Sequence, residues 1–149
     1  MDDQMYRMLL LENQLCFPLY ACSREMIRLY KPHLDQLELT YTQYITMMVL
    51  WERGSATVKE VGKALYLDSG TLTPLLKKLE AKGLLTRKRS TEDERNLIVS
   101  ITEKGLALRD KAVGIPGSMA GCVALDPEET GTLYRLLYKL LSYVDDERA

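Results

Sequence analysis

The sequence predicts a mostly α-helical protein with one small antiparallel β-hairpin. Apolar residues recur at three- and four-residue spacing along most of the chain, which is the period of helices with one buried face. Residues typical of strands cluster in two runs only, 84–89 and 96–101. These runs flank a short polar segment, and this arrangement is typical of a hairpin.

Length and composition are those of an ordinary folded protein. The chain has 149 residues, of which 46% are hydrophobic and 28% are charged, so we expect one domain over residues 1–149. No apolar run approaches the roughly 18 residues of a membrane helix, and the N-terminus lacks the basic start of a secretory signal. We therefore expect a cytoplasmic protein without a membrane partner.

The cysteine and histidine content disfavours an enzyme and a metal site. The three cysteines show no CxxC spacing, and His33 is the only histidine, which excludes the usual zinc-binding patterns. A lone histidine in the loop-like segment 31–33 has no positioned partner for nucleophilic catalysis. We expect no catalytic residues, no cofactor and no metal ligands.

The first long helix is predicted from about Met8 to a stop before Pro32, on an apolar stripe at helical spacing. Pro18 lies inside this stretch. Its missing amide should free the carbonyl of Gln14 and kink the helix axis beside Cys16.

Capping residues mark the next helices. Thr40 and Gln43 form a capping box that opens a helix ending at Gly54, and Thr57 opens a second box and a shorter helix. Asp68 can cap a third helix that ends near residue 83, with its leucines on one side. The hairpin follows this helix, and we expect no other strand.

The last third of the chain is predicted to be helical. Thr102 caps a long helix, and the segment 114–117 should kink or break it because it contains two glycines and a proline. Asp126 at the cap and Pro127 at the first helical position open the final helix. The leucine stripe of that helix is too broad for a lone exposed helix, so it needs a partner surface.

A hidden charge asymmetry points to nucleic acid. The net charge is −1, but residues 71–89 carry six positive side chains against Glu80 alone, which gives this segment +5 and the rest −6. Residues 40–102 are predicted to form a helix, a turn, a second helix and a basic hairpin. This is the order of a winged helix-turn-helix, whose second helix enters the major groove. The alternative is an ordinary solvated helix face. The candidate DNA-binding residues are Ser69, Thr71, Thr73, Lys77, Lys78, Arg87, Lys88, Arg89, Asp93 and Arg95.

A helix-turn-helix usually works as a dimer with two recognition helices about one turn of B-DNA apart. The apolar segments 1–39 and 103–149 are the natural dimerisation elements, so we expect a homodimer on a pseudo-palindromic double-stranded operator. The alternative is that these stripes pack inside one chain.

The sequence resembles the MarR family of dimeric repressors over almost its whole length. The resemblance is carried by the helix-turn-helix followed by residues 83–87 and by the wing tip 92–96. Residues 13–17, 66–75 and 87–95 closely resemble the organic hydroperoxide resistance branch of that family. This resemblance implies a repressor that leaves its operator when an organic hydroperoxide oxidises one N-terminal cysteine.

Within this resemblance Cys16 corresponds to the redox-sensing cysteine. Tyr30 and Tyr41 match two tyrosines that reach its sulfur from the partner subunit, and Tyr20 is expected in the same pocket. Hydroxyl donors suit this role because the thiolate is the reactive form. The alternative for Cys16 is a small buried hydrophobic residue.

The other two cysteines have different expected roles. Cys22 should pack in the core, since it lies about 9 Å along the helix from Cys16 and bridged Cα atoms lie within about 7 Å. Cys122 is a possible resolving thiol, and a small cellular thiol is the alternative. Two rival functions remain open: a MarR-type repressor released by a small aromatic ligand, and a thiol peroxidase that uses Cys16.

Overall fold

A computed structural model describes residues 3–146. The chain forms two compact units, Met1–Pro116 and Gly117–Ala149. The helices are α1 (Asp3–Arg7), α2 (Cys16–Asp35), α3 (Tyr41–Arg53), α4 (Val58–Leu65), α5 (Ser69–Ala81), α6 (Glu103–Ala112), α7 (Ile115–Ala120) and α8 (Pro127–Asp146), with a 3-10 turn at Leu11–Asn13. The strands are β1 (Ser55–Thr57), β2 (Leu85–Arg89) and β3 (Leu97–Ile101). The mostly helical winged helix-turn-helix predicted from the sequence is confirmed.

The predicted caps form as expected. Thr40 and Gln43 exchange side-chain and backbone hydrogen bonds at the start of α3, and Thr57 and Glu60 do the same at the start of α4. The carboxylate of Asp68 accepts the Thr71 amide at 2.9 Å and so caps α5. These caps satisfy amides that have no partner inside the helices.

The hairpin of β2 and β3 is confirmed, but the sheet has a third strand that the sequence did not predict. The strand order is β1-β3-β2, and Ala56 of β1 pairs with Val99 of β3. The three residues of β1, the last of which is also the N-cap of α4, are too few to show an alternating pattern. Pairing with β3 decides their conformation.

The core of the first unit lies between α3, α4, α5 and the sheet. Its fully buried side chains are Met47, Leu50, Val61, Leu72, Leu76, Leu79, Leu85 and Val99. The indole of Trp51 donates a 2.8 Å hydrogen bond to the carbonyl of Gly105, which fastens α6 to α3. A side chain at Gly105 is excluded, because its Cβ would lie 2.1 Å from the carbonyl oxygen of Leu84.

Three predictions about the first long helix are wrong: its start near Met8, its kink at Pro18 and its stop before Pro32. The helix begins at Cys16, so Pro18 lies in its first turn, where an amide has no partner inside the helix and its loss causes no kink. The helix also continues through Pro32 to Asp35. Its last turn is held by Leu34, which is 2% exposed and packs into the core.

The later helices follow the prediction. The helical segment after Thr102 is broken between Ala112 and Ile115. Asp126 accepts the Glu129 amide at 2.9 Å, and the Glu129 carboxylate accepts the Asp126 amide at 3.0 Å, so α8 opens with its own capping box. Within residues 3–146, no helix has the length and apolar character needed to cross a membrane.

Candidate DNA interface and cysteine site

The polar face of α5 has the form of a recognition helix. Leucines cover its buried side, while Ser69, Thr71, Thr73, Lys77 and Lys78 are all exposed. The Thr71 hydroxyl donates to Asp68 at 3.0 Å, and the Thr73 hydroxyl donates to the Ser69 carbonyl at 2.8 Å. Short side chains with fixed hydroxyls allow close approach of a base or a phosphate.

Asp93 organises the tip of the wing. Its carboxylate accepts the backbone amide of Arg95 at 3.0 Å, the Arg95 Nε at 3.4 Å and the Asn96 side-chain amide at 3.4 Å. Its own amide donates to the Ser90 hydroxyl. The Arg95 side chain is 94% exposed, so Asp93 holds an accessible guanidinium on a fixed turn. Asp93 therefore acts in this chain as a positioning residue for Arg95.

Arg87 has a structural partner in Glu80 of α5. Its guanidinium donates to the Glu80 carboxylate at 2.7 and 3.0 Å, and its backbone amide donates at 2.9 Å. These hydrogen bonds from Arg87 hold the pKa of Glu80 below its usual value. The pair fastens the wing to the recognition helix, and direct DNA contact by Arg87 stays a prediction.

The other basic residues of the wing point to solvent. Lys88 and Arg89 are exposed on β2. One guanidinium nitrogen of Arg89 donates to the Glu94 carbonyl at 3.0 Å, across the tip.

A groove of about 230 Å³ joins the helix-turn-helix to the wing. It brings together Thr73 of α5, Arg95 of the wing and Lys59 of α4. A neighbouring groove of about 350 Å³ is lined by Lys59, Lys63 and Ser69. Lys59 and Lys63 were not among the residues predicted from the sequence. Their four-residue spacing places them on one face of α4, and the first helix of this motif crosses the DNA backbone.

Cys16 is the first residue of α2, and its thiol is exposed in the single chain. Among the described residues of that chain, no side chain or backbone group makes a hydrogen bond with its sulfur.

The predicted tyrosines divide into two groups. Tyr30 and Tyr41 meet edge to face at 5.0 Å between ring centroids, and Tyr44 lies 5.9 Å from Tyr30. Burial, reinforced by Tyr30, raises the pKa of Tyr41 above 10.0, so its hydroxyl keeps its proton at neutral pH and can donate. Tyr20 lies outside this cluster, with the Arg24 guanidinium 5.4 Å above its ring.

The remaining cysteines are also exposed. Core packing of Cys22 within one chain was therefore predicted wrongly, because the stripe of α2 on which it lies is not covered by this chain. Cys122 follows α7 in the second unit, with its sulfur 3.5 Å from the Ser118 carbonyl. Within residues 3–146 no cluster of three His, Cys, Asp or Glu side chains could hold a metal ion.

The chain is similar in sequence to known transcriptional regulators. The family model described as transcriptional regulator SarA/Rot matches residues 28–111. The organic hydroperoxide resistance transcriptional regulator of Bacillus subtilis is 56% identical over 131 residues, which cover 88% of this chain and 89% of the relative.

Solved structures of AbfR, a protein of Staphylococcus epidermidis, match nearly the full chain. The reduced, DNA-bound form is 33% identical, with a TM-score of 0.78 over 96% of this chain and 99% of that one. The disulfide form is 32% identical, with a TM-score of 0.61 over 97% and 98%. The winged helix, the wing tip and these matches lead to one conclusion: the chain belongs to the MarR family of winged-helix transcriptional regulators, in its organic hydroperoxide resistance branch.

Proposed function

We propose that this protein is a redox-sensing repressor. As a reduced homodimer it binds a pseudo-palindromic DNA operator, and it leaves the operator when an organic hydroperoxide oxidises Cys16. One observation carries the proposal: α2 begins with an exposed thiol, Cys16, and near its other end places Tyr30 against Tyr41 of α3, the first helix of a complete winged helix-turn-helix.

The spacing along α2 supports a sensor built from two chains. Cys16 and Tyr30 are 14 residues apart, which is about 21 Å along a helix axis. Tyr30 therefore cannot reach the sulfur of its own chain, but two antiparallel α2 helices bring the tyrosines of one chain to the cysteine of the other. Exposed apolar side chains along both terminal regions supply the surface for such a dimer, including Leu15 and Leu19 of the first region and Leu133 and Leu140 of α8.

The DNA-binding half of the proposal rests on separate features. Exposed lysines of α4 and α5 supply phosphate contacts, the polar start of α5 faces bases, and Arg95 enters the minor groove from the wing. The fold resembles the reduced, DNA-bound form of AbfR more than its disulfide form, at nearly the same sequence identity.

The redox step is ordinary thiol chemistry. The Cys16 thiolate attacks one peroxide oxygen, the O–O bond breaks, and the alkoxide leaves as an alcohol after taking a proton. The sulfur is thereby oxidised to a sulfenic acid, which can condense with a second thiol to a disulfide and release water. Cys122 of the partner chain and a small cellular thiol are the two candidates for that second thiol.

A non-reducing gel separates these two candidates. After one equivalent of cumene hydroperoxide, resolution by Cys122 gives a covalent dimer that is lost in Cys122→Ser and kept in Cys22→Ser. Resolution by an added small thiol gives a chain-sized band with the mass of one adduct. A dimer that survives Cys122→Ser and vanishes in Cys22→Ser would reverse both assignments.

The proposal as a whole is tested by operator binding before and after oxidation. The probe is a duplex selected from random DNA by the reduced protein, and the variants are the wild type and Cys16→Ser. We expect the wild type to lose the duplex on treatment with cumene hydroperoxide and Cys16→Ser to keep it. Release of the duplex by an aromatic acid without thiol oxidation would instead favour the ligand-responsive repressor. Repeated peroxide turnover with a thiol reductant would favour the thiol peroxidase.

A further inference from the structure

Lys82 differs from the exposed lysines of α5, Lys77 and Lys78, because its ammonium group has hydrogen-bond partners within the chain. It is the C-cap residue of α5 and is half-buried. Its Nζ donates a hydrogen bond to the backbone carbonyl of Glu38 and lies 3.4 Å from the side-chain oxygen of Gln43. Both acceptors are more than 35 residues away in the sequence.

The acceptors lie in the turn after α2, the helix that carries Cys16 and is called the sensor helix below, and in the first turn of α3. Glu38 lies in this turn between α2 and α3, with a left-handed φ of 55°. Gln43 is 4% exposed, and its side-chain oxygen also accepts the Thr40 amide in the capping box of α3. The residue after Thr40 is Tyr41, a member of the tyrosine cluster.

The Lys82 ammonium, the Glu38 carbonyl and the Gln43 side chain form a contact between helices that we call the Lys82 joint. The Lys82 ammonium lies beyond the carboxyl end of α2 and at the carboxyl end of α5, and a cation is stabilised at both ends by the helix dipoles. The backbone carbonyl of Lys82 accepts the Lys104 ammonium of α6 at 2.7 Å. Lys82 thus connects the end of the recognition helix with the turn that follows the sensor helix and with the start of α3.

We propose that Lys82 is a positioning residue that couples oxidation at Cys16 to the recognition helix. The inference rests on the proposed function, since it concerns how the signal of that sensor reaches DNA. Cys16 is the first residue of α2, and the Lys82 joint lies just beyond the last, about 30 Å away. A movement of α2 on oxidation is passed to α5 through this joint.

The test separates sensing from release in three variants. Lys82→Met keeps the aliphatic stem and removes the charge and the donor, while Lys82→Arg keeps both. Lys78→Met is the matched control, because Lys78 is an exposed lysine on the same helix with its side chain toward solvent. For each variant we would measure the rate of Cys16 oxidation by mass spectrometry and the operator Kd of the reduced and the oxidised protein.

We expect Lys82→Met to oxidise at the wild-type rate and to bind the operator normally when reduced. Its ratio of oxidised to reduced Kd should fall by about 2-fold to 30-fold, the range of single coupling residues. Lys82→Arg should restore the ratio. Lys78→Met should weaken both forms equally, by the loss of one phosphate contact, and leave the ratio unchanged.

An unchanged ratio in Lys82→Met would overturn the coupling role while leaving the repressor function intact. Failure of the wild type to release DNA on oxidation would instead overturn the proposed function itself. Circular dichroism checks that each variant is folded. If Lys82→Met does not fold, Lys82→Gln replaces it, because glutamine removes the charge and is shorter than lysine. A ratio of oxidised to reduced Kd equal to that of the wild type would then overturn the coupling role.

Discussion

The winged helix buries its apolar side chains within the chain, whereas the terminal helices leave many of theirs exposed. In the winged region Met47, Leu50 and Leu79 are 0% exposed. In the first segment Leu15 is 70% exposed, and in α8 Tyr143 is 69% exposed. The core of the DNA-binding part is therefore completed by its own chain, whereas the first segment, which carries the proposed sensor Cys16, and α8 leave apolar surface for a second chain.

This difference separates folding from sensing. A core closed within one chain fixes the shape of the recognition helix and the wing. A sensor that depends on another chain can respond to changes at the contact between chains without dismantling that core. Substitutions in the two regions should accordingly have different consequences, and the following predictions are ordered by the size of the expected effect.

The largest effect is expected in the core of the winged region. Leu79→Ala should lower the free energy of unfolding by about 2–5 kcal/mol, because it removes a fully buried side chain and leaves a cavity. Met48→Ala in α3 is the matched control, since Met48 is 43% exposed and lies outside the proposed dimer surface. Urea unfolding at fixed protein concentration compares them, and equal losses would show that the winged region has no closed core at Leu79.

The next effect concerns α8. Leu140 is 45% exposed in the single chain, so Leu140→Glu leaves the fold intact but places an unpaired charge in the proposed dimer contact. We expect the dimer dissociation constant to rise about tenfold or more, a change of about 1.4 kcal/mol. Analytical ultracentrifugation measures it, and an unchanged constant with unchanged helical content would exclude α8 from the dimer contact.

The contrast also explains what the sequence could and could not predict. Caps and turns are local, so Thr40, Thr57 and Asp68 identified their helices correctly. The strand β1 was missed because only its pairing with β3 defines it. Pro18 was misjudged because its effect depends on where the helix begins, and the start at Cys16 is not marked by a capping side chain.

A smaller effect is expected at a helix cap. Thr57→Ala removes the side chain that accepts the Glu60 amide at the start of α4. The free energy of unfolding should fall by about 1 kcal/mol. Thr91→Ala at the exposed wing tip is the control. Thermal unfolding checks the difference, and equal midpoints for the two variants would show that this cap contributes nothing to stability.

The smallest effect is a change in acid stability. The pKa of Glu80 is lowered by its hydrogen bonds from Arg87. Its contribution is therefore complete above the ordinary carboxyl pKa of 4.5 and is lost as the pH falls through the lowered value of the folded state. Glu80→Gln should flatten the loss of stability below pH 4.5 relative to Glu92→Gln. Parallel acid titrations of both variants would contradict this role.

The candidate site was predictable in kind but not in detail. Charge and order along the chain identified the helix-turn-helix face, and the family resemblance identified Cys16. The pairing of Arg87 with Glu80 and the exposure of Cys22 depend on tertiary contacts that have no local signature. Residue type alone could not separate Lys82, which joins two helices, from Lys77 and Lys78, which face solvent.

The most direct test of the central claim uses mixed dimers. One chain carries Cys16→Ser, and the other carries Tyr30→Phe with Tyr41→Phe. In the mixed dimer the single remaining Cys16 lies in the chain without the two hydroxyls, so it meets intact tyrosines only if they come from its partner. We would follow Cys16 oxidation by cumene hydroperoxide after the two chains are refolded together. If the sensor is built from two chains, half of the doubly substituted chains at equal mixing regain wild-type oxidation rates. Oxidation as slow as in the unmixed double variant would contradict such a sensor.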